Sequence, residues 1–573
     1  MFKPGKKHIQ KTIFDLEYYY PKHIVEILHN SWAKHFLDHI FMNINEERFA
    51  VLYSDKMSRP NRPVNVSVGL LILKEVNDLT DDELMGSLYF DYRFQYALGI
   101  TDFDKERICI NTLTNFRARL YEYECKTGQD LLADEIAALS EKLADFMNLN
   151  KSMARMDSLL VSSSCKKLTR LELVYTVNEK MVKVINKINP DIIPDELKLY
   201  LTESNRNHVL YHTKNKDAGS KLDILFEDAA RLYNIAIASP ECRETKEFKN
   251  LARLLSEQVI QTDTGEIYPV DGKDLASDCL QNPSDPDATY RKKGDAQSVG
   301  YALNLVEVRD KEKDVGLILA HDYKPNIQSD VEFGKDFVKD HPLAEQINTL
   351  CVDGAYYSPE MIDEAAKKNI TVNFSQLTGR KIQDDAIGSN EFKIDPDTNR
   401  IISCPAGHDP IASWYDSDKA TYQAKFSKND CHSCPLKDQC LSKKQKRFYT
   451  VRFTDKKLKI DMIRSTMDTE QHKVLSNFRA GIEGVPSVIR RRYGIDKIPV
   501  RGYLRSKVWV HLKIMAYNFK GLLKYLKERD RKADVCHITA HYIFIKVLKL
   551  IDECLRLSRW YRSWCENICV IGV

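Results

Sequence analysis

The stretch TLCVDGAYYSPEMIDEAAKKN (residues 349–369) decides the fold. An apolar run ends in a carboxylate, Asp353, and a glycine follows at once. Pro359 and Glu360 then stand where a helix starts, because proline fits the first helical turn. The reading is strand, Asp, Gly, turn, helix. A buried strand has no use for a carboxylate at its tip. A strand end that is rigid and open outward can present one to a substrate.

The surroundings extend this unit. SMARMDSLLVSSS (152–164) reads as a strand with Asp157 inside it. VGYALNLVEVRD (299–310) and DVGLILAHDYKPN (314–326) read as two strands joined by the charged turn KEKD. A helix, SDVEFGKDFVKDHPLAEQ (329–346), leads into the opening stretch, and ITVNFSQ (370–376) follows it as a short strand. Three strands, helix, strand, helix, strand is a mixed α/β layer. Asp157 lies on its first strand and Asp353 ends its fourth.

Other segments have helical period. A polar arm leads into PKHIVEILHNSWAKHFLDHIF (21–41), whose apolar residues recur at helical spacing. Residues 60–125 read as helices, with a start after Leu79 at Asp81 and Asp82 and a break at Gly99. NTLTNFRARLYEYECKTG (111–128), capped at Asn111 or Thr112, presents Arg117, Arg119 and Tyr121. A bundle ending in such a helix can dock in a DNA major groove; the alternative is a bundle with a salt-bridged surface. Residues 165–260 are helical again. DTEQHKVLSNFRAGIEGVPSVIRRRYG (468–494) is a helix interrupted at Gly481, Gly484 and Pro486. SKVWVHLKIMAYNFKGLLKYLKER (506–529) is a long amphipathic helix, and a further helical pattern follows at 542–561.

The 573 residues carry 86 Lys and Arg against 82 Asp and Glu, so net charge selects no partner. Local charge says more. Residues 442–459 and 489–507 are strongly basic with interleaved Tyr and Phe. That mixture suits phosphate contacts and base stacking; the alternative is a solvated face. No apolar run is long enough to span a membrane, and MFKPGKKHIQ lacks a signal core, so a cytoplasmic location is expected. Of 14 cysteines, four stand apart: Cys404 in CPAGH, and Cys431, Cys434 and Cys440 in CHSCPLKDQC. They provide the four soft ligands of a tetrahedral zinc site, with His408 or His432 able to replace one. The alternative is a set of reduced, unliganded thiols.

Asp157 and Asp353 can meet if their strands are adjacent, and would then repel unless a cation sat between them. Magnesium is often held by one or two carboxylates plus substrate phosphate. A third acid from a packed helix completes a two-metal site, with ions about 3.5–4 Å apart. Glu483 is the candidate, flanked by Arg479 and Arg490, which can hold DNA phosphates. The alternative is that the strand-end acids merely cap turns.

Over residues 45–525 the chain resembles DDE-type insertion-sequence transposases, close to the insertion sequence 1182 family. RPNRPVNVSVGLLILKEVNDLTDDELMGSLYFDYRFQYALG resembles the family's helical DNA-binding domain. RMDSLLVSSSCKKLTRLELVY resembles its first-Asp strand, DPDATYRKKGDAQSVGYALNLVEV its hairpin entry, and VDGAYYSPE its second-Asp segment. NFRAGIEGVPSVIRRRYGIDKIPVRGY resembles the segment bearing Arg-x-x-x-Glu, and the Cys cluster also matches. Two positions depart. Ser476 stands where relatives often have Tyr. Arg490 stands where they often have Lys, and it binds phosphate as a planar fork.

The resemblance implies a ribonuclease-H-like α/β catalytic core at 151–530, with a helical insert at 165–260 and a Cys-rich insert at 380–460. An N-terminal arm and helix (1–44), an all-α DNA-binding domain (45–150) and a C-terminal helical tail (531–573) flank it. It implies catalysis by Asp157, Asp353 and Glu483 with two Mg²⁺ or Mn²⁺ ions, structural Zn²⁺ on the four cysteines, and a homodimer acting on double-stranded DNA near the nucleoid. Arg117 and Arg119 are expected to reach base edges. Arg479, Arg490, Arg491, Lys443, Lys444, Lys446 and Arg447 are expected on phosphates. The implied reaction cleaves element ends at their inverted repeats and joins them to target DNA. The alternatives are a non-catalytic DNA-binding descendant and a nuclease that cuts without joining.

Overall fold

The computed structural model describes residues 2–5, 19–54, 56, 60–100, 108–211, 218–262, 267–293, 295–377 and 386–532, with the helix backbone followed on to 570. Most of the expected N-terminal polar arm lies outside the described residues.

A six-stranded mixed sheet is the centre: β1 (Met153–Ser162), β2 (Thr289–Lys293), β3 (Ala296–Asp310), β4 (Val315–Pro325), β5 (Thr349–Val352) and β6 (Thr371–Phe374). β3 pairs antiparallel with β1 along one edge and with β2 and β4 along the other. β1, β5 and β6 then run parallel. The hairpin turn falls at 311–314, with Asp314 at positive φ as the tight reversal requires. This strand order fits a ribonuclease-H-like layer.

β1 and β5 are in register from Met153↔Thr349 to Arg155↔Cys351. Continuing that register by two residues sets Asp157 beside Asp353. Side chains alternate along a strand, so Arg155 and Asp157 share one face. That face meets the helix Glu470–Ala480.

The opening stretch folds as its residues dictate. Asp353 caps a 3₁₀ turn, Gly354–Tyr356. Ser358 caps the helix Pro359–Lys367 by accepting from Met361 N, with Pro359 at the first position. Gly354 is required by a close approach: a Cβ there would lie 2.2 Å from the carbonyl oxygen of Gln376.

The N-terminal helices and the sheet share one hydrophobic core, running from Phe36 and Leu70 through Leu305 and Leu350 to Phe519. The expected boundary near 150 therefore separates element types, not cores. The cause is the helix Tyr503–Val570, one continuous element where two patterns were expected, which packs on both units. Its Asn518 donates to Ile318 O and accepts from Ile318 N at the bulge in the β3–β4 ladder, and donates to Ser140 Oγ. The helical insert, Arg170 to Gln258, has a core of its own built on Leu173, Phe226 and Leu251. The cysteine-bearing segment has another, around Phe392, Phe426 and Phe453. Among the described residues no helix is long and apolar enough to cross a membrane.

In the bundle, the helix Asp81–Phe90 starts as expected, closed by a Thr80–Glu83 capping box. The Arg-bearing helix starts slightly earlier than Asn111 or Thr112 would set it, spanning Ile110–Thr127 with Cys109 at its cap. Arg117 is turned inward. Its guanidinium pairs with Asp81 at 2.5 Å and lies over the Trp509 ring. Arg119 lies over Tyr53. Both arginines that were expected to reach base edges are thus engaged within the protein. Burial raises the Asp81 carboxyl, but bonds from Arg117 and Lys74 outweigh it and hold it down at about 2. A depressed folded-state pKa gives stability that is present above the unfolded value and lost as pH falls towards 2. Arg117→Ala is expected to cost about 2 kcal/mol at neutral pH. It should also flatten the loss of stability between pH 4 and pH 2, as read by urea unfolding across that range.

Candidate active site

Three elements converge. Asp157 comes from β1, and Asp353 from the end of β5. Glu483 closes a 3₁₀ turn, Gly481–Glu483, between the helices Glu470–Ala480 and Gly484–Arg492. The interruption read at Gly481 and Gly484 is real, and a close approach explains its first glycine. A Cβ on Gly481 would lie 2.5 Å from Arg155 Nη1.

The three acids surround one guanidinium. Arg479 Nη2 lies 3.3 Å from Asp157 Oδ1 and 3.5 Å from Asp353 Oδ2, and Nη1 lies 3.4 Å from Glu483 Oε1. Strong charge-assisted bonds run at about 2.7–2.9 Å, so Arg479 is held loosely by all three. Its buried Nε has no hydrogen-bond partner. Asp157 is largely buried, and burial raises its carboxyl above the usual range; Arg479 and the Ser158 N–H oppose the rise, and Asp353 and Glu483 add to it. Glu483 sits at the rim, its side chain 69% exposed. Asp353 serves twice. Oδ1 accepts from Ala355 N at 2.7 Å, so the turn-capping alternative holds for that oxygen, while Oδ2 faces the arginine.

Arg479 was expected on DNA phosphates, and here it neutralises the carboxylates instead. Among the described residues no group of three or more His, Cys, Asp or Glu side chains is closed up enough to hold a metal ion. At this site the guanidinium occupies the focus and the acids stand open around it. The donor set still suits a hard divalent cation, because it is all carboxylate oxygen. Arg479 itself marks the focus as a place where positive charge is favoured.

Sequence reasoning missed Arg155, two residues before Asp157. It is buried, pairs with Glu307 through Nε and Nη2, and donates from Nη1 to Phe478 O at 2.7 Å. It thereby ties the end of the Arg479 helix to β1. The signal was a lone cation inside a strand pattern, which a buried pair alone explains. A second tie is His472, whose Nε2 bonds Phe374 O at 2.9 Å. Ser476, at the position where relatives often have Tyr, bonds the other nitrogen of His472.

The remaining candidates are dispersed. Arg490 donates to Leu160 O and pairs with Asp496, and Arg491 bonds Ser487. Lys443, Lys444, Lys446 and Arg447 are exposed at the tip of a hairpin formed by Lys443–Lys444 and Tyr449–Thr454. Cys404, Cys431, Cys434 and Cys440 line one cavity of about 20 Å³ with His408. Burial, then the neighbouring Cys440, Cys404 and Cys434, pushes the Cys431 thiol up to about 11. These are thiols, gathered but not drawn in to the metal-holding geometry expected of them.

Residues 403–523 match the family model described as Transposase DDE domain. The match supports a DDE-type transposase. It includes the cysteines, Arg479 and Glu483, and leaves Asp157 and Asp353 outside. It does not single out the insertion sequence 1182 family. No curated protein and no solved structure matches the chain.

Proposed function

We propose that the chain is a transposase that binds the ends of its own element, cleaves there, and joins the freed ends to target DNA. The observation that carries this is the convergence of Asp157, Asp353 and Glu483 on Arg479, where the parallel pairing of β1 and β5 in a mixed sheet ends. In this reading the three carboxylates hold two Mg²⁺ or Mn²⁺ ions, and the acting species is a homodimer on double-stranded DNA. Such ions supply a Lewis acid for the scissile phosphate and lower the pKa of the attacking water or 3′-hydroxyl. The chain's own residues do the rest. Arg155 and His472 fix the helix that presents Arg479 and Glu483. Arg479 keeps the acids gathered before DNA arrives, and its two Nη groups suit a phosphate as a fork. The test is incubation with labelled element ends and Mg²⁺. Cleaved and joined products are expected. Cutting without joining would favour the nuclease, and binding without cutting the non-catalytic descendant.

Arg479 competes with any cation for the same oxygens. Its three loose ion pairs together are worth about 1–2 kcal/mol. Arg479→Gln is therefore expected to tighten Mn²⁺ binding about tenfold, measured calorimetrically without DNA, while cleavage falls. Unchanged or weaker Mn²⁺ binding would remove Arg479 as a competitor.

The four cysteines have a second, structural role in this reading, as ligands of one Zn²⁺. Ligation would draw the sulfurs together and strip their protons. Metal analysis of reduced protein should find one zinc per chain, and Cys434→Ser should lose it and lower Tm. Zinc-free reduced protein with an unchanged Tm would mean that the thiols only pack.

A further inference from the structure

A second basic site lies apart from the acids, where the helical insert meets residues 499–505. A cavity of about 730 Å³ opens there. It is lined by Lys180 and Lys246 from the insert and by Arg501 and Arg505 from the segment entering the long helix, and no lining residue is acidic. Two of the nearby carboxylates are engaged elsewhere, and a third, Glu247, makes a long ion pair with Lys246. Asp285 accepts from Tyr301 and Ser163, and Asp287 from Tyr503 N. Glu247 is 3.8 Å from Lys246. Arg505 is held over the Tyr121 ring at 4.9 Å. Lys180 is fixed by donation to Ser284 Oγ at 2.7 Å. Burial, and then Lys246, pull the Lys180 ammonium below its ordinary range, with Glu247 opposing and Arg501 adding to the effect. The cleft is a concentration of positive charge, four cations with one loosely paired carboxylate beside them.

The site is continuous with the acids through β1. Pairing with β5 ends at Arg155, so beyond it one edge of β1 has no strand partner. Residues 490–500 cover that edge. Arg490 donates to Leu160 O, Ser162 N donates to Asp496, and Ser164 Oγ donates to Val500 O at the lip of the cleft. From Asp157 to the end of β1 at Ser162 is roughly 17 Å, and the two residues on to Ser164, where the chain bends, bring the span to roughly 20 Å. That is about six steps of duplex DNA.

We propose that the cleft formed by Lys180, Lys246, Arg501 and Arg505 grips the sugar-phosphate backbone of duplex DNA about six base pairs from the bond cut at the acids. The inference rests on the transposase reading and gives the helical insert a task, as one jaw of a clamp. The lysines and the arginine forks neutralise phosphates and read no bases, so the grip is independent of sequence.

The test uses the full chain, a labelled random-sequence duplex, and a salt titration of affinity. Lys246→Gln, Arg501→Gln and Arg505→Gln are combined; all three side chains are exposed, so the fold is not at stake. The slope of log affinity against log salt should fall by about 0.9 for each phosphate no longer neutralised, so by about 2–3 in all. A control, Lys249→Gln with Lys273→Gln, should reduce the slope by less than half as much. In the wild type, ethylating the phosphates about six base pairs from the cut should block binding, and the triple variant should be indifferent to it. An unchanged slope in the triple variant, with wild-type cleavage intact, overturns the cleft and leaves the proposed function standing. Inorganic phosphate bound by the wild type and not by the triple variant, with unchanged duplex affinity, would make it a small-anion pocket and also overturn the proposal. A wild-type chain that binds no duplex overturns both.

Discussion

Asp353→Asn is expected to abolish cleavage and strand transfer, by about 10³-fold or more, and to leave DNA affinity and Tm nearly unchanged. The two halves of this expectation come from the two oxygens of one side chain. Oδ1 accepts from Ala355 N and closes the turn after β5. An asparagine oxygen caps a turn as well as a carboxylate does, so the local fold keeps its bond. Oδ2 faces Arg479 and the other acids. There an amide nitrogen removes a negative charge and a hard donor together, and any cation held between the strands loses a ligand. Asp157→Asn is the less clean experiment. Its carboxyl is largely buried, and its charge balances Arg479 from below, so a neutral group there also changes the stability of the arginine. The assay pairs cleavage of labelled element ends with equilibrium DNA binding on the same preparation. Cleavage retained within tenfold would remove Asp353 from the chemistry. Cleavage and binding lost together, with lowered Tm, would reduce it to the turn cap.

What the sequence made legible follows from how local each cause is. Asp353 could be placed because an apolar run, an acid, a glycine and a proline are neighbours in the chain. The reason for Gly354 could not, since the crowding oxygen belongs to Gln376, on the loop after β6. The β3–β4 hairpin was readable from its charged four-residue turn. β2 (Thr289–Lys293) was not, because an edge strand written TYRKK after a Pro- and Asp-rich stretch has no apolar alternation. The interrupted helix was visible in two glycines and a proline. That Arg479 points at carboxylates and not outward at DNA depends on a parallel pairing between segments far apart in the chain. The setting of Arg117 was out of sight for the same reason. Its helix looked like a groove-reading helix, but Trp509 and Asp81 claim its guanidinium. The bundle likewise looked independent until the helix beginning at Tyr503 packed the two units into one core.

The other large effect concerns Arg155, which touches none of the acids and yet sets both Arg479 and Glu483. Its pair with Glu307 is buried, at 2.5 Å, and Glu307 Oε1 has no hydrogen-bond partner. Burial pushes the Glu307 carboxyl up, and Arg155 holds it against that rise. Arg155→Met alone leaves that carboxylate stranded, at a cost of about 3–5 kcal/mol. Loss of activity in that variant would not separate fold from function. Arg155→Met with Glu307→Leu removes both charges together and is expected to restore most of the stability, since an apolar pair of similar volume often replaces a buried ion pair without loss. The double variant still lacks the bond from Nη1 to Phe478 O and the guanidinium against which Gly481 packs. Those two interactions fix the end of the helix bearing Arg479 and the turn bearing Glu483. A shift of about 1 Å at that turn is enough to cost roughly 10² in rate. The stable double variant should therefore bind DNA like the wild type and cleave about a hundredfold more slowly. If it regained stability and cleaved at the wild-type rate, Arg155 would be a fold residue only, and the positioning of Glu483 would have to come from His472 and the helix itself.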